Sequence, residues 1–290
     1  MSFLFVLAAL VLGLPLLSFA QYLRENARAG LLPRVRALCG GRLFWPVLRA
    51  TLNSAWSIVL VTLAYPLGWL PARAPRLPQG TGPGGLPPVL LTHGLYHNAS
   101  AWLLFRRRLQ RAGFRDVRTY SYPSFFRPFA AIVDGLVQTA LCAAQASPTG
   151  TVLLVGHSLG GLVIRAACAN VALSGRVAGI VTLGAPHQGS TLAGLLAVGR
   201  LGRGLAPGGE VLEHVRQLPG CAVPALSLYS PTDSMVLPLS GSFLEEREKQ
   251  AGWTEECLGP VSHVGLLHAR RATGRSVEFL LAAASRPASP

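Results

Sequence analysis

Thr151-Val152-Leu153-Leu154-Val155-Gly156-His157-Ser158-Leu159-Gly160-Gly161 is the stretch whose reading decides the fold. Its first five residues are a short run suited to a buried strand, and Leu162 to Cys168 follows as a helical run. A strand, a sharp Gly-x-Ser-x-Gly turn and a helix hold a serine hydroxyl exposed above a sheet, where it can act as a nucleophile. The glycines meet a physical demand. The turn is strained, and side chains at positions 156 and 160 would collide with the neighbouring strand and helix. The glycine and serine content alone yields roughly 0.2 chance matches to the bare pattern, so the flanking strand and helix carry the reading.

Working outward, apolar runs at 88–92, 117–122, 151–155, 177–183 and 223–229 read as strands. Helical stretches fall at 104–111, 129–145, 159–173, 192–205, 209–217 and 276–284. Short continuous strands alternating with helices predict an α/β fold, a mostly parallel sheet covered on both faces. A nucleophilic serine on such a turn takes its acid and then its histidine further along the chain. Of the three aspartates, Asp116 and Asp134 precede Ser158, which leaves Asp233, in a turn just beyond the run 223–229. His263 follows in a Ser/Gly-flanked loop and is preferred over His268, which opens a helical run. His187 precedes Asp233 and breaks the order, while His97 and His214 read as surface residues. His263 would take the serine proton, Asp233 would hold its imidazole, and the amides of Leu159 and Leu95 would stabilise an oxyanion.

The composition asks for more than a soluble enzyme. Half of the 290 residues are hydrophobic and only 13% are charged. The mean hydropathy is +0.41. Two uncharged segments, 2–20 and 50–70, are each long enough to span a bilayer. The first has a rival reading as a cleaved secretory signal, ending in Ser18-Phe19-Ala20, but it lacks a basic n-region. Asn53, Ser54, Ser57, Pro66 and Gly68 weaken the second. Between them, residues 21–49 carry Arg24, Arg28, Arg34, Arg36, Arg42 and Arg49 against Glu25. Short Arg-rich loops stay cytoplasmic, so residues 1–70 read as a membrane-anchoring helical hairpin. All that follows would lie on the extracytoplasmic side, periplasmic for a bacterial inner membrane. A Pro/Gly-rich linker at 71–85 then leads to a catalytic domain over 86–290.

The formal charge is +14, and Lys249 is the one lysine among 26 basic residues. No aromatic-interleaved basic stripe accompanies that charge, so no nucleic-acid partner is expected. There is no Cys-x-x-Cys and no zinc-like histidine spacing, so no metal or cofactor is expected either. Cys142 and Cys168 read as buried hydrophobes, and Cys39 falls in the Arg-rich loop. Cys221 and Cys257 precede the candidate acid and base loops, and a bridge between them is one of two open readings in an oxidising compartment. Nothing in the sequence specifies an oligomeric state.

His93-Gly94, the Gly156–Gly161 turn, and Thr182-Leu183-Gly184-Ala185-Pro186-His187-Gln188-Gly189-Ser190 together resemble the bacterial triacylglycerol lipase group of α/β-hydrolases. The third motif is similar to that group's Gly-Thr-Pro-His-x-Gly-Ser segment, with Ala185 in place of Thr. The resemblance covers about residues 86–285 and implies an α/β-hydrolase fold with a serine acting on acyl esters or lipids. It also implies a helical lid at about 190–220, where Leu192, Leu195, Leu196, Val198, Leu201 and Leu205 are available to face an acyl chain. Some members of the group bind calcium through paired aspartates, which this chain lacks. An acyltransferase or thioesterase would use the same acyl-serine, and a non-catalytic lipid-binding protein would not need it.

Overall fold

The computed structural model describes residues 11, 13–69 and 85–285. Residues 2–10 and 12 of the first apolar segment, and all of the 71–85 linker except Gly85, lie outside the described residues. The body is built on a six-stranded sheet: β1 (Val89–Thr92), β2 (Val117–Tyr120), β3 (Val152–His157), β4 (Val177–Leu183), β5 (Ala225–Tyr229) and β6 (Trp253–Cys257). The spatial order is β2-β1-β3-β4-β5-β6 and every neighbouring pair is parallel. Between the strands run α4 (Leu103–Arg111), α5 (Phe129–Gln145), α6 (Leu159–Cys168), α7 (Thr191–Leu196), α8 (Gly199–Arg203), α9 (Glu210–Gln217) and α10 (Glu246–Gln250). The chain closes with α11 (Arg270–Ala284).

Successive strand residues face opposite sides of a sheet, so each strand feeds two cores. Leu90, Leu154 and Ile180 pack with Leu136 of α5 and Leu162 of α6. Leu91, Leu153, Val155 and Val181 pack with Phe105 of α4 and Leu280 of α11 on the other face. Burial on both faces explains why β1, β3 and β4 read as continuous apolar runs. The expected strands and helices are all present with shifted ends, and the 192–205 stretch resolves into α7 and α8. β6 and α10 escape a reading by hydropathy. Trp253-Thr254-Glu255-Glu256-Cys257 is an edge strand with β5 on one side only, and it carries two glutamates.

Ahead of the sheet stand α1 (Leu14–Arg28), α2 (Leu32–Leu38) and α3 (Phe44–Ala64). The Arg-rich stretch expected as a loop is therefore largely helical. Its residues are good helix formers, and Gly30, Gly40 and Gly41 break it at positive φ. Among the described residues, one helix is long and apolar enough to cross a membrane, α3 with its short 3₁₀ extension, Phe44–Trp69. Of the first segment, residues 11 and 13–20 are described, and Leu14 to Ala20 open α1, which runs on to Arg28, so one of the two expected spans is seen as such a helix. Residues 21–49, expected across the membrane from the catalytic domain, instead pack against it through Asn26 and Arg34.

These helices lie over the loops that leave the carboxyl ends of β1, β5 and β6. Phe19, Tyr22, Val35 and Ala50 share a core with Tyr229, Leu237 and Leu239. Tyr22 donates to the Pro231 carbonyl, and Ser18 donates to Ser234 Oγ at 3.1 Å. Asn26 Oδ1 accepts the Leu239 amide at 2.9 Å, and Asn98 Nδ2 donates to the Tyr65 carbonyl at 2.9 Å. On α3, Ala50, Ser54 and Ser57 are buried at helical spacing, while Leu52, Trp56 and Leu63 are exposed.

Candidate active site

β3 ends at His157, α6 begins at Leu159, and Ser158 sits between them at φ +54°, ψ −124°. A serine in that region is strained and persists because its surroundings fix it. Its amide donates to the Leu183 carbonyl and its carbonyl accepts from Gly161, each at 2.9 Å. The glycines permit the turn. A Cβ on Gly156 would stand 2.6 Å from the Gly160 carbonyl carbon, and one on Gly160 would strike the carbonyls of Thr92 and His93.

Asp233 lies in the turn after β5 and is almost fully buried. Its Oδ1 accepts the amides of Met235 (2.8 Å) and Val236 (3.1 Å). Its Oδ2 accepts from His263 Nδ1 at 2.7 Å. That bond places the imidazole proton on Nδ1 and leaves Nε2 as the acceptor. His263 and Ser158 line the same cavity, and among the described residues no hydrogen bond joins them. Hydrogen bonds of this kind tighten when substrate is bound.

The loop after β1 reaches the same place. A Cβ on Gly94 would stand 2.9 Å from Ser158 Cβ, which sets Leu95 beside the serine. His93 holds the loop. Its Nδ1 donates to the Gly94 carbonyl at 2.8 Å, its Nε2 accepts the Tyr122 amide at 3.1 Å, and its ring stacks on Tyr122. Burial pushes the His93 pKa down to about 4, so the ring is neutral. Leu159 is the first residue of α6, and a first-turn amide has no intrahelical acceptor. The structure therefore gathers Ser158, Asp233, His263, Leu95 and Leu159 at the carboxyl end of the sheet.

Two further histidines belong to the site. His157 Nε2 donates to the His263 carbonyl at 3.1 Å, and burial holds its pKa well below the ordinary histidine value. His97, expected on the surface, lines the cavity, and burial pushes its pKa down to about 3. His187 instead bridges Arg165 and Ser227 inside the body, and His214 is exposed. The two rings of His157 and His263 lie 4.7 Å apart.

The cavity at Ser158 has a volume of about 400 Å³ and is mainly apolar. The lid region contributes Leu192, Leu196 and Leu205, whereas Leu201 is buried in the core and Leu195 and Val198 face outward. The remaining wall is not legible from motifs. Leu14, Pro15 and Ser18 of α1 and Ser54 and Ile58 of α3 complete it. Asn98, Asn53 and Ser54 are the signal that could have found it, polar or small residues in or facing an otherwise apolar helix.

All five cysteines are free. The bridge considered between Cys221 and Cys257 is excluded by register. Trp253 Nε1 donates to the Cys221 carbonyl, which places Cys221 at the opposite end of β6 from Cys257. Trp253 and Cys257 stand roughly 13 Å apart along the strand, and Cys221 and Cys257 pack into different cores. Among the described residues no group of three or more His, Cys, Asp or Glu side chains is arranged to hold a metal.

A chain with this sheet and this turn falls among the α/β-hydrolases by architecture. The sequence agrees: residues 89–288 match the alpha/beta hydrolase family, and the chain belongs to it. No curated protein sequence matches the chain. Solved structures resemble it in fold at low identity. Aspergillus fumigatus lipase B superposes with a TM-score of 0.59 at 20% identity, over 73% of this chain and 59% of the lipase. The chain thus spans less than two thirds of that enzyme. Bacillus licheniformis lipase BlEst2 gives a TM-score of 0.56 at 18% identity, over 69% of this chain and 93% of the other. Est1E from Butyrivibrio proteoclasticus, with ferulic acid bound, gives 0.54 at 15% identity, over 72% and 94%.

Proposed function

We propose that this hydrolase is a membrane-associated serine esterase or lipase that cleaves carboxylic esters of lipid-like substrates. The observation that carries the reading is the Asp233–His263 pair facing the strained Ser158 across an apolar cavity. In the proposed reaction, Ser158 Oγ attacks the acyl carbonyl while His263 Nε2 takes its proton. The tetrahedral oxyanion is met by the amides of Leu95 and Leu159, each such donor contributing about 3 kcal/mol. His263 then protonates the leaving alkoxide, and water, activated by the same imidazole, releases the acid. Asp233 keeps the imidazole oriented and stabilises its cation.

The outward-facing Leu52, Trp56 and Leu63 of α3 support seating of the body at a bilayer, with the arginines of α1 and α2 on the same side as the body that those helices pack against. A fluorophosphonate probe should label Ser158 in the full chain and fail to label Ser158→Ala. Labelling elsewhere would sink the assignment. The roof of α1 and α3 favours a second reading, transfer of the acyl group to an alcohol or amine other than water. Product analysis with an added acceptor alcohol separates the two.

A further inference from the structure

α3 does more than wall the cavity: its one carboxamide reaches into the loop that carries His263. Asn53 Oδ1 accepts two hydrogen bonds from Ser262, from Oγ at 2.7 Å and from the amide at 3.2 Å. Ser262 Oγ in turn accepts the Gly265 amide at 3.2 Å, so the loop on both sides of His263 is tied to one acceptor. Any side chain at position 265 would collide with Asn53 Oδ1, which shows how closely the two segments fit. Ser262 is fully buried and Asn53 half-buried. The loop has a second tether, the His157 donation to the His263 carbonyl, from the body side. Helices α1 and α3 thus hold both partners of the serine, since Ser18 and Tyr22 of α1 contact the turn that carries Asp233.

We propose that Asn53 is a positioning residue for His263, fixing through Ser262 the height of the imidazole above Ser158. The inference rests on the serine-hydrolase reading of the site. A carboxamide oxygen in the middle of an apolar helix is costly unless it is bonded. Both of its bonds here are spent on the residue adjacent to the proposed base. Displacing a catalytic group by about 1 Å costs on the order of a hundredfold in rate.

The test uses the full chain in detergent with p-nitrophenyl butyrate, a short-chain ester. Asn53→Ala should lower kcat by roughly ten- to a hundredfold with KM changed less than about threefold, and should slow fluorophosphonate labelling of Ser158 in parallel. Asn53→Asp retains the acceptor for both Ser262 donors and should recover most of kcat. Ser262→Ala removes the stronger bond, and its effect should not add to that of Asn53→Ala. The proposal is overturned if Asn53→Ala keeps the parent kcat. It is equally overturned if Asn53→Asp is as impaired as Asn53→Ala while both retain the parent thermal midpoint. If Asn53→Ala fails to fold, the Asn53→Asp and Ser262→Ala pair still decides. A parent chain with no turnover and no labelling would instead refute the serine-hydrolase reading itself.

Discussion

The sheet body and the N-terminal helices are built in opposite senses. In the body, the inner strands are mostly apolar and the charged strand residues stand on the edge strands, with Leu153, Leu154 and Val155 wholly buried. In α3 the polar residues Asn53, Ser54 and Ser57 turn towards protein and the large apolar ones, Leu52, Trp56 and Leu63, turn away from it. The first arrangement suits water outside, the second a lipid phase outside. Each region supplies what the other lacks. The body carries Ser158, Asp233 and His263, and the helices supply an apolar wall and polar tethers to the loops that bear Asp233 and His263.

If the chemistry belongs to the body, Ser158→Ala should lower p-nitrophenyl butyrate hydrolysis by roughly a million-fold with an unchanged thermal midpoint. Retained turnover would break the division at once. Asp233→Asn leaves the fold in place but loses the acceptor that sets the His263 tautomer, and kcat should fall by roughly 10⁴. The body also has a pH signature. His93 stays neutral when folded down to about pH 4, whereas the unfolded chain binds that proton near 6.5. The unfolded state therefore takes up more protons in this window, and stability falls as pH drops from about 6.5 towards 4. The change is at most about 3 kcal/mol for this one group, readable as a lower urea midpoint at pH 4.5 than at pH 7.

On the helix side, Ile58→Trp fills the cavity wall and should depress kcat/KM for long acyl esters roughly tenfold relative to butyrate. Equal effects on both chain lengths would show that the acyl chain lies elsewhere. Trp56→Glu with Leu52→Glu alters the outer face alone. It should shift the protein out of the membrane fraction while changing butyrate turnover by less than about twofold.

The strands β1, β3 and β4 were legible because burial on both faces makes them uninterrupted apolar runs. Ser158 was legible because its turn demands glycines at fixed positions, and Asp233 because scarcity left no other aspartate downstream. β6 was hidden by Glu255 and Glu256, which an edge strand with one open side tolerates. The helical nature of residues 21–49 was masked by the arginines, which weigh on hydropathy but not on helix propensity. The cavity wall was out of reach for a different reason. Leu14, Pro15, Ser18, Ser54 and Ile58 are brought to Ser158 by tertiary packing across more than 90 residues, and no local spacing encodes that. Asn53, which on hydropathy merely weakened a span, is explained only by its partner Ser262.

The family resemblance begins at residue 89, yet five residues that line the cavity come before it. Trimming the chain to the matched region, the usual route to a soluble sample, would remove one side of the cavity at Ser158 and open the core around Tyr229, Leu237 and Leu239 to solvent. A protein shortened in this way would present a cavity of different shape and lining at Ser158.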